Sequence, residues 1–468
     1  MPFFIRGRRN EGKPKRPSKH HLKSKDGPLK KKSKLEAGLE EEITSEEDEE
    51  IENYVKGKNN NEREGKDIEE NVETAQEKKV RLAREYIQEL REQKTKEDEE
   101  ELDDEAVTVR LREDALEAAG KLHKSIADSY IQPDLNSFRF LKSKQQKLPI
   151  TCVAVSHDNK FIFSGSKDCS IVKYSIDGQR LGHIPGGRKG TEAVHIGHTS
   201  HVYALAVSSD GKFLASGDEQ GYICIWDMQA LKRLKRFKKH RSAISGLAFR
   251  RGTHTLYSAS HDRLVMVWNL DAMAFVENLG GHQDSITGID SYMRESCITS
   301  GGRDQAIIVY MIVEDKQLRF VSPHESVEGV KLLDEKTFVT FGQEGSLGVW
   351  TTLKKRPHSV IKAAHGLQPG NGQPNWICSV ATLINTDLVA SGSMDGHIRV
   401  WKVCFDKGLR FLELRFTIPI PGIINSMAFT STGSHLVVGV GQEHKLGRWY
   451  KDKIAKNSIV VIPMKIKE

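Results

Sequence analysis

The residues best suited to chemistry in this 468-residue chain are histidines, hydroxyls and carboxylates that recur together. Histidines fall at His198, His240, His282, His324 and His365. A hydroxyl follows at Ser164, Ser216, Ser258, Ser300, Thr340 and Ser391, with Gly439 in the seventh place. Four residues later come Asp168, Gln220, Asp262, Asp304, Glu344, Asp395 and Glu443. A histidine beside a serine and an aspartate is the set that activates a nucleophile for acyl transfer. Such chemistry needs one site, however, whereas this set appears in nearly every repeat. Recurrence argues for a structural role.

The elements that position these residues follow from the spacing. Six residues after each acid position stands Tyr174, Trp226, Trp268, Tyr310, Trp350, Trp401 or Trp449, at intervals of 52, 42, 42, 40, 51 and 48 residues. Short β-rich runs bounded by Gly, Asp and Ser replace helical periodicity after about residue 138. Three registers running through seven units, and the histidine register through five, mark an internal repeat. The pattern resembles the WD-repeat family over 138–468, although a literal Trp-Asp pair survives only at Trp226-Asp227. The resemblance implies an all-β fold, a seven-bladed β-propeller of four-stranded blades. It also implies a buried hydrogen-bonded chain in each blade, for which His240, Ser258, Asp262 and Trp268 are the complete example. Gln220 and Gly439 then predict incomplete chains in blades two and seven. Phe138–Leu141 and Ser458–Pro463 are both able to supply the strand that closes the ring.

Other catalytic signatures are absent: the sequence has no G-x-x-x-x-G-K-[ST], H-E-x-x-H or G-x-S-x-G. Six cysteines lie far apart without a C-x-x-C, which fits buried thiols and no zinc site. No metal, cofactor or catalytic residue is expected. The apolar runs are far short of 18 residues, so no membrane-spanning helix is expected.

Charge divides the chain into three blocks. Residues 1–35 carry 13 Lys/Arg against two acids, residues 36–137 carry 15 against 33, and residues 138–468 carry 43 against 29. Such asymmetry points to nucleic acid or a large assembly. Residues 1–70 read as a disordered tail, basic and then acidic, because they hold too little apolar surface to offset the entropy of ordering. Lys30, Lys31, Lys32 and Lys34 form a nuclear-localisation patch, and Thr44 and Ser45 sit in an acidic tract suited to phosphorylation. Residues 71–137 read as a helical extension. Thr74 to Glu77 form a capping box, and a second apolar stripe runs from Leu111 to Ile126.

In the propeller, cationic turns are expected at Lys232 and Arg233, at Lys354, Lys355 and Arg356, and at Lys451 and Lys453. Arg250, Arg251 and His254 form another, replacing the usual Ser-x-Asp-Gly turn, while Lys238, Lys239 and Arg241 lie on the opposite side. Cations on loops of a rigid scaffold contact phosphates in a salt-dependent way, and structured RNA offers bulges and loops to them.

Three stretches are more specific: Ala248 to Arg263, Val440 to Trp449, and Glu73 to Lys79. Together they resemble the WD-repeat proteins of the U3 small nucleolar ribonucleoprotein. That resemblance implies a nucleolar, non-enzymatic protein acting in pre-ribosomal RNA processing for the small subunit. It implies binding to the box B/C region of U3 RNA beside a small kink-turn-binding protein of the box C/D particle, among small-subunit assembly factors. The alternative is a protein-only WD adaptor of a chromatin or ubiquitin-ligase assembly, which would carry acidic or aromatic pockets on its upper face.

Overall fold

The structure is a computed structural model that describes Leu122–Lys467 apart from Glu192, Ala193, Pro369 and Lys407, together with Arg81, Arg112 and Leu116. The lysine patch, the acidic tract with Thr44 and Ser45, and nearly all of both expected helices lie outside the described residues.

Seven four-stranded antiparallel sheets make up the body. Blade two shows the plan: Val202–Val207 is innermost, followed outwards by Phe213–Asp218, Tyr222–Asp227 and Arg233–Lys238. The middle strands are buried on both faces, as in Leu214 to Asp218, because each sheet is covered by its neighbours. Cys152, Phe163, Val202, Leu214 and Trp226 join blades one and two in one apolar layer. Close stacking needs small residues on the second strand. A Cβ on Gly217 would lie 2.5 Å from Ile244 Cγ2, so this glycine admits the inner strand of the next blade.

Both candidate closing strands are used. Blade seven contains Ile423–Phe429, His435–Gly441 and Ser458–Pro463, and its outermost strand is Arg139–Leu141 from the other end of the chain. Leu141 pairs with Ile459 and Arg139 with Val461, so the ring is closed by strand pairing between distant segments.

The structure departs from expectation in three places. Trp449 is not the strand aromatic of blade seven. It is 59% exposed and sits in the connection between His435–Gly441 and Ser458–Pro463, the latter strand having no aromatic residue. The helical reading also fails over 122–137, where the chain forms 3-10 turns at Ala127–Ser129 and Leu135–Ser137 and a short strand at Tyr130–Ile131. Asp387 explains this: its carboxylate accepts the backbone N–H groups of Ile126 and Ala127 and the Ser125 hydroxyl at 2.8–2.9 Å. Ile126 then packs against the blade six and seven core instead of forming a helix stripe. Finally, the turn containing Lys451 and Lys453 belongs to the upper face, defined here as the side bearing the His and Asp loops, and not to the lower turns.

Candidate nucleic-acid interface

The recurring triads are buried and mutually satisfied. In blade three, His240 Nδ1 lies 2.9 Å from Asp262, His240 Nε2 lies 2.8 Å from Ser258 Oγ, and Trp268 Nε1 donates to the same oxygen at 2.9 Å. With Nδ1–H donating to the carboxylate, Nε2 accepts the serine proton while the serine oxygen accepts the indole N–H. Ser258 is fully buried, so no substrate reaches its hydroxyl. The chain is a clamp between the His loop and two strands.

The other blades vary this design. Blade two is complete, contrary to the expectation drawn from Gln220. Asp218, two residues earlier, meets His198 Nδ1 at 2.9 Å, and Ser216 takes His198 and Trp226 at 2.6 and 2.7 Å. In blade four the hydroxyl on His282 is Thr299 at 2.8 Å, not Ser300. Blade five uses Thr340, and blade six uses Ser391 with His365 and Asp395. Blade one lacks the histidine, and buried Gln146 accepts the Ser164 hydroxyl in its place. In blade seven, where Gly439 stands in the hydroxyl position, buried Asn425 instead bridges the carbonyls of Ile150 and Glu443.

Basic charge is most concentrated on the outer strand of blade two, Arg233–Lys238, and the residues that flank it. Lys232, Arg233, Lys235, Arg236, Lys238, Lys239 and Arg241 place seven cations within ten residues, with no acid among them. Among the described residues the strand pairs only with Tyr222–Asp227, which leaves its other edge without a strand partner there. Arg236 and Lys238 lie over the Tyr222 ring at 3.8 and 4.2 Å, which holds their cationic ends against an aromatic face. Lys232 and Lys235 are exposed and form no ion pair with any described residue. Arg233 instead donates to the carbonyls of His195 and Ile196 at 3.0 and 2.8 Å. The two ends of this strand, expected as clusters on opposite sides, are continuous along it. Lys235 and Arg236 lay outside the expected clusters, although the uninterrupted run of basic residues was visible.

The remaining candidates divide by environment. Lys354, Lys355 and Arg356 form an exposed turn on blade five whose side chains have no partner among the described residues. Arg250 donates from Nε to the Met293 carbonyl at 3.0 Å, and Arg251 reaches the Tyr292 hydroxyl at 3.1 Å and His157 Nε2 at 3.2 Å. Those bonds link blade three to blades four and one, so both arginines also serve the fold. Lys451 lies 3.7 Å from Glu443, and Lys453 is exposed beside it.

His254 bridges the lower turns of blades two and three, meeting Asp210 at 2.8 Å and also Asp271. Burial alone would lower its pKa, but the two carboxylates raise it above the usual value of 6.5. Burial likewise opposes ionisation of Asp210, yet Ser208 and His254 hold its pKa well below normal. A raised histidine contributes stability fully below its unfolded pKa and loses it as pH rises through the folded value. A depressed aspartate contributes above its unfolded pKa and loses it as pH falls. The bridge is therefore most stabilising between about pH 4 and pH 6.5. Comparing thermal midpoints of the wild type and His254→Gln should show a larger deficit at pH 6 than at pH 9. An equal deficit at both would mean that the histidine is neutral there.

Comparison with known proteins supplies the family. The model described as WD domain, G-beta repeat matches residues 138–175, 191–227, 231–269 and 367–402. U3 small nucleolar RNA-interacting protein 2 of Homo sapiens is 47% identical over 397 residues, covering 84% of this chain and 83% of that protein. Ribosomal RNA-processing protein 9 of Saccharomyces cerevisiae is 23% identical over 453 residues, covering 74% and 77%. A crystal structure of RRP9 WD40 repeats superposes with a TM-score of 0.68 at 47% identity, covering 72% of this chain and all of that one. With a propeller closed as described and identity of this extent along it, the chain belongs to the family of U3 small nucleolar RNA-interacting protein 2.

Proposed function

We propose that the protein is a non-enzymatic scaffold of the U3 small nucleolar ribonucleoprotein, acting in pre-ribosomal RNA processing in the nucleolus. In this reading it binds the box B/C region of U3 RNA beside a kink-turn-binding protein and other box C/D proteins, among small-subunit assembly factors. The observation that carries the reading is the outer strand of blade two with its flanking residues, where seven cations fall within ten residues at a propeller edge in a chain similar to a U3 RNA-interacting protein. A phosphate backbone is the natural complement of such a row, because each neutralised phosphate releases counterions. The strand sets the spacing of the cations and so lowers the ordering cost of binding. The turn at Lys354, Lys355 and Arg356 offers a second contact, while Arg250, Arg251, His254, Lys451 and Lys453 have contacts within the protein as well or lie beside them.

Crosslinking the protein to RNA in cells and sequencing the recovered RNA tests this reading. One small nucleolar RNA should dominate, with reads concentrated at its box B/C region. Messenger RNA, or no RNA above background, would instead favour the protein-only adaptor.

A further inference from the structure

A cleft opens on the upper face across blades five, six and seven, with a volume of about 1120 Å³. Its walls come from the Glu325, Glu344, Trp376 and Asp395 loops and from the connection carrying Trp449, Tyr450 and Asp452. Among the described residues four carboxylates and no Lys or Arg line it, although the propeller as a whole carries excess basic charge; Asp395 and Glu344 also hold His365 and His324, which leaves Glu325 and Asp452 the freer pair. The nearby cations Arg448 and Lys451 are turned to Glu443, at 3.1 and 3.7 Å. Trp449 and Tyr450 are 59% and 49% exposed at the rim, an unusual placement for two adjacent large aromatics. Trp449 stacks on Trp376 with ring centroids 5.8 Å apart and planes 10° from parallel, and Trp376 Nε1 is a buried donor with no partner among the described residues. Behind them, burial and the nearby Lys445 and Lys167 push the His444 pKa down to about 3, so the stack is backed by a neutral ring.

We propose that this cleft binds an arginine-rich peptide segment of a protein partner. A guanidinium is planar and weakly hydrated, so it stacks on an indole face while its N–H groups pair with carboxylates at the rim. A lysine ammonium supplies the charge without the stacking. A nucleic acid fits poorly, since the four carboxylates repel phosphates. The surface is separate from the basic strand of blade two and does not depend on the RNA reading.

The test is titration of the full chain with a fluorescein-labelled Arg-Gly-Gly repeat peptide, with Lys and Glu versions of the same peptide as comparators. Saturable binding is expected, several-fold weaker for the Lys version and absent for the Glu version. Trp449→Ala combined with Glu325→Lys should weaken the Arg peptide at least tenfold while leaving recovery of small nucleolar RNA unchanged. Neither residue belongs to a blade strand, and unchanged thermal unfolding would confirm that the variant is folded. Undiminished binding by the variant would place the peptide on the acidic segment 36–137 and overturn the proposal, as would equal affinity for the Glu peptide. Binding that emerges only after deletion of residues 1–35 would assign the cleft to the chain's own basic arm and overturn the partner assignment.

Discussion

Asp218→Ala is expected to destabilise the propeller by about 3–5 kcal/mol, the cost of stranding a buried histidine without its carboxylate. Asp218 is fully buried and accepts His198 Nδ1 at 2.9 Å together with the backbone N–H groups of Gln220 and Tyr222 at 3.0 and 2.8 Å. Removing it leaves buried His198 and two partly buried backbone N–H groups without their acceptor, and each buried unsatisfied group costs about 1–3 kcal/mol. Gln220→Ala, at the position where the repeat spacing placed the acid, should cost less than about 1 kcal/mol, because it removes no acceptor from the clamp. Urea or thermal unfolding of the two variants measures the difference. Equal losses, or a larger loss at Gln220, would mean that the blade two clamp is not built as described.

The second large effect concerns RNA. Replacing Lys232, Lys235 and Lys239 by glutamate should weaken association with the small nucleolar RNA by roughly a hundredfold at moderate salt. The slope of log affinity against log salt should fall by about 2–3, since each lysine facing a phosphate contributes somewhat less than one. Lys232 and Lys235 have no ion-pair partner among the described residues, and Lys239 lies over the Phe275 ring on the surface, so stability should change little. A parallel reversal of Arg250 and Arg251 is a poorer probe, because it would also break the bonds to Met293, Tyr292 and His157. Weakened binding without a reduced salt slope would indicate an effect through folding instead of through phosphate contact.

The legible and illegible parts of this fold have physical causes. Blades three, five and six were readable because their clamps keep a fixed distance between hydroxyl, acid and tryptophan, as at Ser258, Asp262 and Trp268. Blade two was misread because the tight turn lets an acid two residues earlier, Asp218, reach the same histidine. Blade seven misled more deeply. The inserted connection carries Trp449 at nearly the repeat distance, while the real third strand, Ser458–Pro463, is a plain apolar run. The apolar spacing of Leu122 and Ile126 was real, but Asp387 captures the local amides and tertiary bonding overrides the helix. The candidate interface suffered from the opposite problem. Its cations were plain in the sequence, yet only strand pairing shows that Arg233 and Lys238 belong to one edge.

Peptide mapping of the protein–RNA crosslinks formed in cells addresses the central claim most directly, because it reads the partner and the contact surface from one sample. The account predicts nucleotides of the small nucleolar RNA attached to peptides spanning residues 232–241, with fewer at 354–356. Adducts confined to the acidic upper cleft, or none on the propeller at all, would contradict it.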